Sequence, residues 1–507
     1  MTASVVRVAS PAAQLRALLA LRWTMMRAPG AKLAICLGGI AALWLLSVII
    51  SSAGSIEPAA LETAKELAPT AFLGFGVLAL IAPLTAGGGA EIVPPDQLVA
   101  YPVRPRTHFL GGLALAPVNL VWIVQLLVLA AESTFLTQGG RPLLGGMTTF
   151  SFVLALTVCG QALAWAVAGL RQTRSGRRAV GVISIATLAT AVLLVRLGQG
   201  DDLLDASPTR VVVDGIVASD GSLGRWGLTT AGLIGLTVLG LVSGSALCGW
   251  ALGRPGDAGA THVGSAVRRR TAVRSPLREL IAMDRASVWR APALRRGGLV
   301  LAVLPGLIAA GAAVPWESLV VLPGLVAAGA GLLFGVNAFC LDASGAVWLA
   351  SLPHDPLLVA RSKLIVLAET VLAAVVVAAV AGSLRSPGAP TAAEVTAIIS
   401  SGLLCTLLVV ATGIRMSVLH PHRADLNGVR DAVAPPGAMV LASVKLAFPT
   451  ALVGILLGSA ASTDVAWLAP ALAVPLMVLC VLSLRHTLER YADPHVRGRI
   501  TTRVSAG

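Results

Sequence analysis

Long apolar stretches recur at regular intervals along the whole chain, separated by short polar segments. Each is about 17 to 25 residues long, the length that a transmembrane α-helix needs to cross the hydrocarbon core. The pattern predicts an all-α polytopic membrane protein of about twelve transmembrane helices. The predicted spans are approximately 33–53, 70–89, 109–131, 149–170, 180–197, 227–252, 298–314, 319–341, 364–383, 395–419, 438–460 and 465–484.

Composition agrees with this pattern. Of the 507 residues, 56% are hydrophobic and only 12% are charged, with a mean hydropathy of +0.85. A soluble globular protein carries about 25% charged residues. Because the apolar stretches continue along the whole length, they exclude a single signal peptide or anchor ahead of a soluble catalytic domain.

The basic residues predict the topology. A net charge of +14 would suggest a nucleic-acid partner in a soluble protein, but here Lys and Arg occupy the short segments between apolar stretches. With both termini in the cytoplasm, 32 of the 38 basic residues lie in predicted cytoplasmic segments. We therefore expect cytoplasmic termini and no nucleic-acid partner. The other six are Lys65, Arg141, Arg196, Arg210, Arg225 and Arg385.

Metal-ligating side chains form no convincing cluster. All six cysteines lie in or at the ends of apolar stretches, without a Cys-x-x-Cys pair. His420 and His422 stand close together but have no acidic or Cys partner at ligand spacing. The sequence therefore predicts no metal site.

An internal repeat is visible ahead of the first and seventh spans. The run LRALLA at 15–20 is followed by Arg-Ala-Pro at 27–29, and LRELIA at 277–282 is followed by Arg-Ala-Pro at 290–292. Both runs place apolar residues at helical spacing, so they predict amphipathic helices at the cytoplasmic interface. Ordinary basic flanks are the simpler alternative.

A second match follows spans two and eight. Glu91 stands eleven residues before PVRP at 102–105, and Asp342 stands eleven before PHDP at 353–356. Pro-x-x-Pro should end a short cytoplasmic helix and set the direction of the next span, although a simple loop is the alternative. The repeats predict two parallel six-helix units, 1–255 and 275–507, joined by a cytoplasmic linker at 256–274.

These residues resemble the ABC transporter permeases of the type-2 exporter class, particularly the actinobacterial form in which two six-helix units are fused. The likeness lies in the interfacial helix before each unit and in the acidic residue and short helix after its second span. It also lies in Leu-x-x-x-Pro-x-x-Pro at 98–105 and 349–356, and in RSKL at 361–364. The first half departs from the pattern, because Gly112 occupies the position of Lys363 and Pro94-Pro95 interrupts the short segment.

The resemblance implies that the segment between the second and third spans of each unit contacts a dimer of ATP-binding cassette ATPase subunits. The implied coupling residues are Glu91, Asp96, Pro102, Arg104, Pro105, Arg106, Asp342, Pro353, His354, Asp355, Pro356, Arg361 and Lys363. It further implies a bacterial plasma (inner) membrane location among membrane lipids, and outward movement of an amphipathic or lipophilic compound, a peptide or a lipid.

This chain is not expected to hydrolyse ATP itself. A P-loop needs Gly-x-x-x-x-Gly-Lys-Ser/Thr, and the sequence contains no Gly-Lys dipeptide. ATP and Mg²⁺ should therefore belong to the partner subunit, and no cofactor is expected in this chain.

Polar residues inside predicted spans are candidates for a transport pathway or for hydrogen bonds between helices. They are Asn119, Gln125, Asn337, Glu369 and Thr370. Glu369 also keeps open an ion-coupled secondary transporter, although no ionisable partner for it is evident. An enzyme acting on lipid-linked sugars is a third class, for which the acidic loop at 201–220 is the only place to look.

Overall fold

The computed structural model describes residues 10–25, 68–77, 79–80, 103–116, 120–137, 141–197, 207–254, 275–343, 345–422 and 436–505, with isolated positions 40, 44, 46–48, 51, 65 and 424. Every regular element in these ranges is helical. The chain divides into two compact units, one comprising residues 1–84, 90–188 and 201–261 and the other residues 85–89, 189–200 and 262–507. The boundaries 1–255, 256–274 and 275–507 stay a prediction.

Eight helical segments are long and apolar enough to cross a membrane in the described part of the chain. They overlap the fourth, sixth and seventh to twelfth predicted spans, and they indicate a multi-pass membrane protein. They are Pro142–Arg171, Leu223–Leu252, Leu294–Gly311, Trp316–Gly335, Leu357–Arg385, Ala392–Leu419, Leu441–Ala461 and Leu468–Ala492. The first predicted span lies almost wholly outside the described residues.

The described helices of the first unit begin with α1, in the first LRALLA stretch. They are α1 Pro11–Met25, α2 Ala68–Val77, α3 Pro105–Leu115, α4 Leu120–Leu136, α5 Pro142–Arg171, α6 Arg174–Arg196, which passes the boundary at residue 188, α7 Pro208–Val217 and α8 Leu223–Leu252. The predicted third span overlaps both α3 and α4, and residues 117–119 between them lie outside the described ranges.

Helices α5 and α8 form the centre of the first unit and run in the same direction. Trp226 donates to the Leu144 carbonyl near their beginnings, and Gln172 donates to the Ala251 carbonyl near their ends. Helix α3 packs on α8 through Phe109. Its fully buried ring lies directly against Gly244, where a side chain would leave no room for it. Close apolar packing and hydrogen bonds between helices both hold the described part of this unit together.

The helices of the second unit begin with α9, in the LRELIA stretch. They are α9 Pro276–Arg290, α10 Pro292–Gly311, α11 Trp316–Leu319, α12 Leu322–Ala330, α13 Gly345–Ser351, α14 Leu357–Gly382, α15 Ala392–Leu419, α16 Pro436–Ala461, α17 Leu468–Ala492 and α18 Pro494–Ser505.

Local chemistry explains where several of these helices start and stop. Pro276 occupies the first turn of α9, and the helix ends where Ala291 turns extended before Pro292. Thr391 and Glu394 form a reciprocal capping box at the start of α15. The α-helix beginning at Leu322 continues from Gly331 to Gly335 as a π-helix, and the regular helix breaks at Asn337, inside the predicted eighth span of 319–341.

Candidate functional site

An exposed apolar surface lies on the short helix α13, ahead of the second Pro-x-x-Pro. Val347 and Trp348 are 55% and 62% exposed, whereas Leu349 is buried and anchors the helix to the core of the unit. Leu352, just after the helix, is also exposed. We call Val347, Trp348 and Leu352 the α13 patch.

The segment after α13 is shaped by its own side chains. The two ring nitrogens of His354 lie 3.0 Å from the Leu349 carbonyl oxygen and 3.2 Å from that of Asp355, so the protonated nitrogen can donate to a carbonyl. Oδ1 of Asp355 accepts from the backbone N–H of Leu357 at 2.9 Å, at the start of α14. These bonds give the Pro-x-x-Pro segment a defined path between α13 and α14.

A buried ion-pair cluster joins the residues that flank this stretch, Asp342 before α13 and Lys363 on α14. Nζ of Lys363 on α14 donates to Oδ1 of Asp284 on α9 at 2.6 Å and to Oδ1 of Asp342 at 2.5 Å. The Ser362 hydroxyl donates to the second oxygen of Asp284 at 2.5 Å. Asp284 and Lys363 are each 3% exposed. Because charges buried in this way must be paired, the cluster fixes α9, α14 and the end of the preceding span to one another.

Asp342 belongs to a break in the eighth predicted span. After α12 the chain forms a π-helix at Gly331–Gly335 and then a 3-10 helix at Ala338–Asp342. The hydroxyl of Ser417 on α15 donates to the Gly335 carbonyl and accepts from the N–H of Ala338, both at 2.9 Å. Breaks of this kind are frequent at functional sites. Here a neighbouring helix supplies the hydrogen bonds that the broken helix cannot make itself.

The predicted coupling residues of the second unit divide by exposure. Pro353, Asp355 and Arg361 are exposed, and His354 and Pro356 are half-buried. Lys363 and Asp342 instead face the interior, with side chains 2% and 9% exposed. They pair with each other, and Lys363 also pairs with Asp284, so their part in coupling stays a prediction that would act through this cluster.

The first unit has a related but simpler arrangement. Arg104, Pro105 and Arg106 are exposed at the start of α3. Oε1 of Gln14 on α1 accepts from the backbone N–H of Arg104 at 3.2 Å and from the Thr107 hydroxyl at 2.8 Å. Gly112 is buried where the second unit has Lys363. Glu91, Asp96 and Pro102 lie outside the described residues.

The candidate pathway residues of the second unit each bond to a partner within that unit. Glu369 forms a bidentate pair with Arg285 on α9, at 2.8 Å and 2.6 Å. Asn337 is fully buried and donates to the His422 carbonyl at 2.7 Å. Thr370 donates to the Val366 carbonyl of its own helix, and Gln125 is half-buried on α4. Asn119 lies outside the described residues.

Sequence reasoning missed Asp284, Arg285 and Ser362. Asp284 and Arg285 follow the LRELIA run on α9, where acidic and basic residues read as the solvated face of an amphipathic helix. A signal for them exists, because ionisable groups on helices beside membrane spans often pair with one another. The pair also explains the pKa of Arg285, which its hydrogen bond and ion pair with Glu369 raise.

Other chemistry is sparse in the part of the chain that the structure describes. No group of three His, Cys, Asp or Glu side chains there is arranged to hold a metal ion. Asp214, from the acidic loop, lies 3.6 Å from Arg210 and 3.9 Å from Arg225. A cavity of about 20 Å³ adjoins the ion-pair cluster and has room for one water molecule. Asp284, Phe334, Lys363 and Thr370 are among its lining residues.

The chain was compared with protein families, curated proteins and solved structures. No family model, no curated protein and no solved structure matches this chain.

Proposed function

We propose that this chain is the membrane-spanning permease of an ATP-binding-cassette exporter, driven by a separate ATPase subunit. The observation that carries the proposal is the exposed α13 patch, in a segment whose two ends are tied together by the buried cluster through Asp342 and Lys363. An exposed tryptophan with apolar neighbours is a typical anchor for a protein partner. A segment that must transmit force needs a firm connection to the spans behind it, and the ion pairs give one.

Two further features support the proposal. The sequence lacks the Gly-Lys of a P-loop, so ATP hydrolysis requires another chain. Both units tie the helix before their first span to the helix after the Pro-x-x-Pro, through Gln14 in one and Asp284 in the other. On this proposal the patch faces the cytoplasm, both termini are cytoplasmic, and the twelve spans form two parallel repeats. The cargo is an amphipathic or lipophilic compound, a peptide or a lipid.

Co-purification tests the proposal. The full chain should retain a subunit that mass spectrometry identifies as carrying a P-loop, and the complex should hydrolyse ATP. Trp348→Ala should reduce recovery of that subunit at least several-fold, because the side chain is exposed and its loss leaves the fold intact. Trp467→Ala is the matched control, since Trp467 is 69% exposed but lies far along the sequence at the start of α17.

Two results would count against this function. One is the absence of any ATPase from material purified under mild conditions. The other is equal recovery of the ATPase with Trp348→Ala, Trp467→Ala and the unchanged chain.

Ion-coupled secondary transport is the alternative, favoured by the cluster of three buried ionisable groups that Lys363 forms with Asp284 and Asp342. Their position weighs against it. Lys363 lies six residues after Leu357, about 9 Å along α14 at 1.5 Å per residue, whereas such sites lie near the bilayer midplane. Glu369 is deeper but is already paired with Arg285. Transport that survived ATP depletion with an intact proton gradient, and was lost in Glu369→Gln, would favour the alternative.

A further inference from the structure

Three arginines flank the bend between α9 and α10. Arg290 is the last residue of α9, and Arg295 and Arg296 lie in the first turns of α10, just beyond the extended residue Ala291. The acidic residues of α9 do not neutralise them. Asp284 is taken by Lys363 and Ser362, and Glu279 lies in the first turn at the opposite end of the helix. The bend therefore carries an excess of positive charge.

Arg296 has an unmet requirement for a partner. Its side chain is half-buried. Nη1 is inaccessible to solvent and has no hydrogen-bond partner among the described residues. The next two residues pack closely on apolar side chains of the same unit. Gly297 lies against Leu333, and Gly298 lies against the ring of Phe334. A buried cationic donor without an acceptor is costly, so the site is incomplete without an anion.

The surroundings of the bend suit a lipid. Nη1 of Arg295 lies 3.5 Å from the carbonyl oxygen of Trp289, whose indole is 57% exposed. Leu299, one turn further along α10, is also exposed. Tryptophan is enriched at the level of the lipid headgroups, and exposed leucine on an apolar helix faces the acyl chains. Arginines at the same level meet phosphate groups.

We infer that Arg290, Arg295 and Arg296 bind the phosphate of an anionic phospholipid headgroup, with Trp289 and Leu299 along the lipid. The planar guanidinium matches two phosphate oxygens at once, and several arginines around one anion reinforce one another. A lipid fits better than a free ion because the apolar surface begins directly beside the charges. This inference concerns the membrane around the chain and does not depend on the proposed transport function.

Thermal unfolding of the delipidated full chain in neutral detergent tests the site. Added phosphatidylglycerol should raise the unfolding midpoint by several degrees, and phosphatidylcholine at the same concentration should not. The triple change Arg290→Gln, Arg295→Gln and Arg296→Gln should abolish the shift. Arg278→Gln should keep it, because Arg278 is an exposed arginine near the beginning of α9, away from the bend.

The lipid-free midpoints separate binding from a structural role. Without lipid, Arg296→Gln should be at least as stable as the unchanged chain, because it removes a buried cation without a partner, and with phosphatidylglycerol it should be less stable. Arg295→Gln changes an exposed side chain and should weaken the lipid response alone. An equal response to phosphatidylcholine, an undiminished response in the triple variant, or the same protection by millimolar inorganic phosphate would overturn the inference.

Discussion

Lys363 on α14 and Asp284 on α9 form an ion pair of 2.6 Å although they lie 79 positions apart in the sequence. Both side chains are almost fully buried, and Asp342 completes the cluster from the end of the broken span. One ammonium group thus joins three separate elements, two of which flank the segment that carries the α13 patch. Any change in the angle between α9 and α14 must also act on the segment that carries the patch.

Removing the ammonium should be severely destabilising. Lys363→Met would leave two carboxylates buried side by side, and losing one partner of a buried pair costs about 3–5 kcal/mol. Denaturant unfolding in detergent micelles measures the loss. Lys445→Met is the control, since Lys445 is exposed and its Nζ lies near the Met416 sulfur. Equal stability of the two variants would show that the cluster does not hold the helices together.

The Arg285–Glu369 pair should matter much less to stability. Both side chains are about half exposed, and Arg285 lies on α9, outside the candidate membrane spans, where water can reach the pair and screen it. Glu369→Gln should therefore shift the unfolding midpoint far less than Lys363→Met does. A shift as large as that of Lys363→Met would mean that Glu369 is shielded from water in the membrane.

The hydroxyl of Ser417 should contribute more than an ordinary serine in a membrane helix. Ser417→Ala would leave the Gly335 carbonyl and the Ala338 N–H without that partner, at a cost of about 1–3 kcal/mol. Ser459→Ala is the comparison, because Ser459 is exposed and bonds only within its own helix. Unfolding free energies of the two variants should differ; if they agree, the break is stabilised by other contacts.

A methyl group added to α10 should separate it from α14. In Gly306→Ala the new Cβ would collide with the Ala378 carbonyl and lie 2.7 Å from Cβ of Ala381. Overpacking of this kind costs about 1–3 kcal/mol. Gly311→Ala on the same helix meets no atom within 4 Å. Thermal unfolding should show a lowered midpoint for the first variant only, and two unchanged midpoints would mean that the helices separate easily.

Acidification should weaken the second unit through His422. Burial, with His420 and Arg503 nearby, lowers the pKa of His422 from its ordinary 6.5. The unfolded chain therefore binds this proton more readily, so stability is complete above pH 6.5 and is lost as the pH falls through the lowered pKa. In His422→Gln the unfolding midpoint should change less between neutral pH and pH 5 than it does in the unchanged chain. An unchanged pH profile would exclude His422 as the cause.

Hydropathy could locate eight of the helices because a membrane span depends on the average of many residues. It could not locate the helix break after Gly335, since the hydrogen bonds that permit it come from Ser417, 82 positions away from Gly335. The same reason hid the ion-pair cluster. Lys363 reads as a basic flank and Asp284 as part of a polar face, and only the packing of α9 on α14 turns them into partners.

The exposed members of the candidate site were easier to predict. Pro353 and Asp355 lie in a local motif whose turn chemistry acts over a few residues, and Asp355 caps α14 accordingly. The exposure of Trp348 depends on how α13 rotates over its anchor Leu349, which a seven-residue helix does not encode by periodicity.

The last described helix, α18, determines how far the chain can be shortened. Ile500 and Val504 are buried against the core of the second unit, and Arg499 donates to the Val418 carbonyl. A chain ending at Ala492 would uncover this apolar surface beside α13. Cells would then recognise it as misfolded, and turnover by quality-control proteases would reduce its yield even if every span had inserted.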